Sequence, residues 1–62
     1  MSNTTSLVLN NIKALAVDGK ADILEVVAQV WATPSEVALA LLDLELLGVV
    51  AVDTINQIAF VL

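Results

Sequence analysis

The side chains in this 62-residue chain best suited to acid–base or metal chemistry are seven carboxylates: Asp18, Asp22, Glu25, Glu36, Asp43, Glu45 and Asp53. Two of them brought together could share a proton or hold a cation, but their spacing argues against it. Asp43 and Glu45 are two apart and do not share a helical face, and Glu36 and Asp43 lie on one flank but two turns apart. The chain has neither histidine nor cysteine. That removes the commonest general base and metal ligand, thiolate metal sites and disulfides. No nucleophile–base pairing, phosphate loop or metal-ligand spacing is present. The carboxylates are therefore expected to be caps and solvated charges. No catalysis, cofactor, metal or small-molecule substrate is expected.

Lys13 and Lys20 are the only cations, there is no arginine, and the net charge is −5. With Asn10 and Asn11 the lysines could touch a phosphate. Nucleic-acid affinity, however, comes largely from neutralising phosphates with Lys and Arg, and two lysines in an acidic chain make a poor electrostatic footprint. The N-terminal MSNTTS is polar and lacks a basic region ahead of an apolar run, so no signal peptide is read there. The longest apolar region, Val37 to Val52, carries Asp43 and Glu45 and is about 16 residues long, short of the roughly 20 that a membrane span needs. A cytoplasmic location without membrane contact is expected.

Three of the carboxylates belong to one stretch, Thr33 to Val50, TPSEVALALLDLELLGVV. Thr33 is a natural N-cap, Pro34 suits the first helical position, and Glu36 follows the cap by three, which together predict a capping box. Gly48 predicts the stop. The intervening Ala and Leu are strong helix formers. At about 100° per residue, Val37, Ala40, Leu41, Leu44 and Gly48 share one face. Leu39, Leu42 and Leu46 share the opposite one. A helix serving a single core needs only one apolar face, and this helix has two.

The remaining elements are read around it. Residues 1–5 are expected to be a flexible polar tail, with one domain over 6–62. Ser6 can cap a first helix, Leu7 to Val17, whose Val8, Ile12 and Leu15 point inward, with Asn10, Asn11 and Lys13 largely outside. Asp18-Gly19 is a turn signal that ends it. Lys20 to Asp22 form a connector, and Ile23 and Leu24 either extend it as a small strand or open the next helix. A second helix is predicted from about Leu24 to Val30, although its valines lower helix propensity. Trp31 and Ala32 turn the chain, with Trp31 expected to plug the gap between the second and third helices. After Gly48 the β-branched residues predict a strand at Val49 to Val52, a turn at Asp53 to Asn56 and a second strand at Gln57 to Leu62.

Helix, connector, helix, tight turn, long helix, Gly, hairpin: this order resembles the winged helix-turn-helix superfamily. Val37, Ala40, Leu41, Leu44, Glu45, Gly48 and Val50 stand where its common third-helix pattern, xVxxALxxLExxGLV, has them. The run LLDLELLG is most similar to the small C-terminal winged-helix domain of the DNA-processing protein A family. The resemblance implies an α+β fold of three helices followed by a two-stranded β-hairpin. It also implies a DNA-binding regulator or DNA-processing accessory domain, with Lys13, Lys20, Ser35 and Asn56 as the nucleic-acid contacts.

The chain departs from that pattern where DNA would be read. Ser35, Leu39, Leu42, Asp43 and Leu46 occupy the outer face of the third helix, and leucine can neither neutralise a phosphate nor pair with a base edge. Asp53 to Asn56 replace a basic wing tip. The favoured expectation is therefore a protein-interaction module whose partner is a second copy, as a homodimer, or another protein, meeting it through Ser35, Leu39, Leu42, Leu46 and Leu47. The alternative is that the hairpin or N-terminal tail folds over these leucines within one chain. Contiguous exposed apolar surface marks an interaction site, and a two-fold dimer reuses a single self-complementary patch.

Overall fold

A computed structural model describes all residues, 1–62. The elements run α1 (Asn3–Leu15), β1 (Lys20–Asp22), α2 (Ile23–Gln29), α3 (Pro34–Leu46), β2 (Val50–Asp53) and β3 (Ile58–Val61). The result is a small α+β domain of three helices and one antiparallel sheet in the order β1-β3-β2.

The sheet has three strands rather than the two expected. Lys20, Ala21 and Asp22, read as a connector, pair with Phe60, Ala59 and Ile58 of β3. The turn that delivers them is Asp18-Gly19. Both residues have positive φ, 53° and 77°, and Val17 and Lys20 exchange both backbone hydrogen bonds across it. This is a two-residue hairpin of the kind that Asp-Gly favours, so the pair does more than end a helix. β2 pairs with the other edge of β3, Val50 opposite Val61 through Asp53 opposite Ile58. The turn between them is Thr54 to Gln57, one residue later than expected.

α1 also begins earlier than expected. Ser2, not Ser6, is the N-cap, its side chain accepting from the Thr5 amide. Residues 3–5 are helical and Thr5 is buried, so the tail expected over 1–5 is replaced by the first turn of a helix. Thr5 Oγ1 donates to Asp43 Oδ2 of α3 at 3.2 Å. Because a carboxylate only accepts, the 2.8 Å contact between the Ser2 and Thr5 hydroxyls has Ser2 donating. This relay fastens the start of α1 to α3.

α2 spans Ile23 to Gln29, capped by the Asp22 carboxylate, which accepts from the Leu24 amide. α3 starts as its sequence demands. The Thr33 amide donates to Glu36 Oε1 at 2.9 Å and the Glu36 amide to Thr33 Oγ1 at 3.2 Å. It ends in a Schellman motif: the Val49 amide donates to the Leu44 carbonyl and the Gly48 amide to Glu45. Gly48 takes φ 76°, the left-handed conformation that lacks a Cβ penalty only in glycine.

The core sits between helices and sheet. Val8 and Ile12 of α1, Ile23 and Val26 of α2, Val37, Ala40, Leu41 and Leu44 of α3, and Ala21, Val50 and Ala59 of the sheet are buried, and Val30 closes it after α2. The alanines Ala21 and Ala59 face each other in the register of β1 and β3. α3 therefore buries the face that its periodicity assigned to the core.

Candidate protein interface on α3

The other face of α3 is uncovered. Leu39 is 65% exposed, Leu42 54% and Leu46 81%. Leu47, just past the helix, and Ser35, in its first turn, are exposed as well. Neither the hairpin nor the N-terminal segment lies over them. The hairpin is held in the sheet, and the N-terminal segment is wound into α1 and tied to the flank of α3 by Thr5. Of the residues predicted as a protein interface, Ser35, Leu39, Leu42 and Leu46 therefore lie on one face of α3, with Leu47 just beyond its end.

Two carboxylates border that face, and each is drawn back to its own chain. Asp43 accepts from Thr5 on one side. On the other, Glu45 Oε2 accepts from the Val52 amide at 3.3 Å. Val52 belongs to β2, an edge strand whose outer N–H groups lack a strand partner, and a charged side chain there blunts the edge against further pairing. The strip between the two acids is left apolar.

On the Glu45 side the strip opens into a groove of about 630 Å³ between α2, α3 and β2. Leu24 and Val27 line it from α2, Ala38 and Leu42 from α3, and Val52 from β2, with Glu45 near its end. Sequence reasoning did not place Leu24 and Ala38 beside the leucine stripe. Ala38 precedes Leu42 by one helical turn, and this spacing was its only signal. Leu24 gave none, because its neighbourhood depends on how α2 packs.

Trp31 is the clearest reversal. Expected to plug the gap between α2 and α3, it is 98% exposed in the turn joining them. Val26, Val30 and Val37 are buried without it, and part of the space between α2 and α3 stays open as the groove. Its neighbour Ala32 packs against the core instead.

Of the four residues read as possible nucleic-acid contacts, Lys20 and Asn56 line one shallow pocket, and Lys13 and Ser35 are not part of it. Lys13 is in the last turn of α1, Lys20 in edge strand β1, Ser35 in the first turn of α3 and Asn56 in the β2–β3 turn. The Asn56 side-chain amide is occupied, donating to Asp53 Oδ2 at 2.8 Å. Asn11, expected largely outside, turns its side-chain oxygen inward without a hydrogen-bond partner.

Asp22, Glu36 and Asp53 serve local structure, each accepting from residues within three positions of its own. Hydrogen bonds from the Thr33 backbone, then its side chain, hold the Glu36 carboxyl below its ordinary pKa. The Asn56 side chain, then its backbone, do the same for Asp53. No three of the acidic side chains converge in a way that would hold a metal ion. No helix is long and apolar enough to cross a membrane. Comparison with protein-family models, curated proteins and solved structures returns no match.

Proposed function

We propose that this chain is a non-catalytic protein-interaction module of the winged-helix kind, and that it pairs with a second copy of itself through the outer face of α3. The observation that carries the reading is the exposure of Leu39, Leu42 and Leu46 on a helix whose opposite face already fills the core. The order of elements supports the winged-helix part. The third strand departs from the two-stranded hairpin that this reading expected.

Area and charge favour a second copy. A stable dimer buries at least about 600 Å² per partner. That is about 15% of this molecule's 3957 Å². The exposed parts of Leu39, Leu42, Leu46 and Leu47, with Leu24 and Ala38 beside them, offer apolar surface of that order. Burying what the first three leucines expose contributes roughly 3–6 kcal/mol before association and ordering costs. With the bordering acids turned aside, the contact leaves no carboxylate to desolvate at its centre. A cytoplasmic setting goes with this reading.

Sedimentation at micromolar concentrations is expected to show a dimer, and Leu42→Asp a folded monomer, because Leu42 is solvent-facing in the single chain. Wild type that stays monomeric at high micromolar concentration would overturn the proposal. Titration with random duplex DNA at low salt is expected to give no appreciable binding; tight, salt-sensitive binding would favour a nucleic-acid regulator instead.

A further inference from the structure

We infer that the two copies meet with their α3 helices antiparallel, so that Leu46 of each drops into a hollow on the other formed by Ser35, Ala38, Leu39 and Leu42. The inference rests on the self-association proposed above and specifies how the surface is completed.

A knob from one helix seats in a hole made by residues i, i+3, i+4 and i+7 of its partner. On the exposed face of α3 one such set is Ser35, Ala38, Leu39 and Leu42, all solvent-facing. Two of its members are small, so the set forms a depression rather than a ridge, and it opens on one side into the groove lined by Ala38 and Leu42. Leu46, one turn beyond, is the most exposed leucine of the helix. Depression and knob therefore lie on the same strip, the knob one turn beyond Leu42, the last residue of the depression.

Only one orientation brings them together. If the helices ran parallel about a two-fold axis, Leu46 would face Leu46 and Ala38 would face Ala38, large against large and small against small. Running antiparallel about Leu42, residues equally far before and after it come level. Leu46 of one copy then lies beside Ala38 and Leu39 of the other, and the interaction occurs twice. Alternating large and small residues across a contact is what lets layers interdigitate without voids. Antiparallel helices also place opposite ends of their macrodipoles together. Asp43 and Glu45 stay at the margins, held by Thr5 and Val52.

A size exchange tests this. Ala38→Leu fills the hollow and Leu46→Ala removes the knob. Both sites are exposed, so circular dichroism of the separate chains is expected to be unchanged. Each single variant is expected to weaken dimerisation at least tenfold by sedimentation, and the double variant to recover most of the loss. Absence of rescue, or tighter association of Ala38→Leu alone, would overturn the antiparallel register.

A second measurement uses the lack of cysteine. In the double variant Ala38→Cys/Leu46→Cys, disulfides are expected to link the copies, because the two positions, each four residues from Leu42, come level across the contact and within disulfide reach. Neither single variant should link to itself. Self-linking of either single variant, or of Ser35→Cys, which keeps every leucine, would show a parallel pair and leave self-association standing. A wild type that is monomeric removes the underlying reading itself.

Discussion

Glu36 shows how one side chain holds an element boundary. Its carboxylate accepts from the Thr33 amide while the Thr33 hydroxyl accepts from its own, and the exchange lowers its pKa. Asp53 has the same relation to the β2–β3 turn, accepting from the Ile55 and Asn56 amides and the Asn56 side chain. A carboxyl with a depressed folded-state pKa contributes stability that is fully present above its unfolded value and lost as pH falls through the folded one. Stability is therefore expected to fall on acidification below the ordinary carboxylate range. Glu36→Gln retains an oxygen able to close the box but cannot titrate. Its urea midpoint is expected to stay near wild type at neutral pH and to fall less steeply in acid. An identical pH profile would assign the acid sensitivity elsewhere.

At the scale of the element, α3 is the helix on which both the core and the candidate interface depend. Leu44 is fully buried at its inner face. Leu44→Ala is expected to cost 2–5 kcal/mol, the usual range for removing a core leucine. Small domains hold only about 5–15 kcal/mol in total, so the loss is a large fraction of the stability. Urea denaturation followed by circular dichroism measures it. Leu42→Ala, two residues away on the outer face, is expected to leave the stability of the monomer within about 0.5 kcal/mol. The contrast between the two leucines separates the faces, and equal losses would show that the outer face is packed within one chain. β1 behaves differently. Three residues are too short to show an alternating pattern, and the strand exists because the Asp18-Gly19 turn aims it at β3. The Asp-Gly pair was legible, but it was read as a helix stop because a helix precedes it.

For the whole molecule, the relevant quantity is charge. Two copies at −5 each repel across the dimer, and salt screens such repulsion over a Debye length of about 8–10 Å. Dimerisation is expected to tighten as salt rises from roughly 50 mM to 500 mM, since apolar burial carries the attraction and charge opposes it. A nucleic-acid complex would weaken over the same range through counterion release. Sedimentation at three salt concentrations distinguishes the two signs, and dimerisation that weakens with salt would count against an apolar contact at α3.

Where the cause was local, the residues alone were sufficient. The capping box at Thr33, the glycine exit at Gly48 and the inward face of α3 depend on neighbours within one or two turns, and each was legible before any fold was known. The same holds for the lack of histidine, cysteine and arginine. Other features depend on residues far along the chain. Ser2 and Ser6 are both competent caps; Ser2 is used because Thr5 finds Asp43, 38 residues away. Lys20 to Asp22 become a strand only beside residues 58–60. Trp31 lies outside, in the turn between α2 and α3, while Val26, Val30 and Val37 are buried. Periodicity assigned Leu39, Leu42 and Leu46 to a second apolar face, but only the packing of the other elements determined that nothing in the chain covers it. Short-range hydrogen bonds are written in adjacent letters, whereas occupancy of space is decided by the whole chain at once.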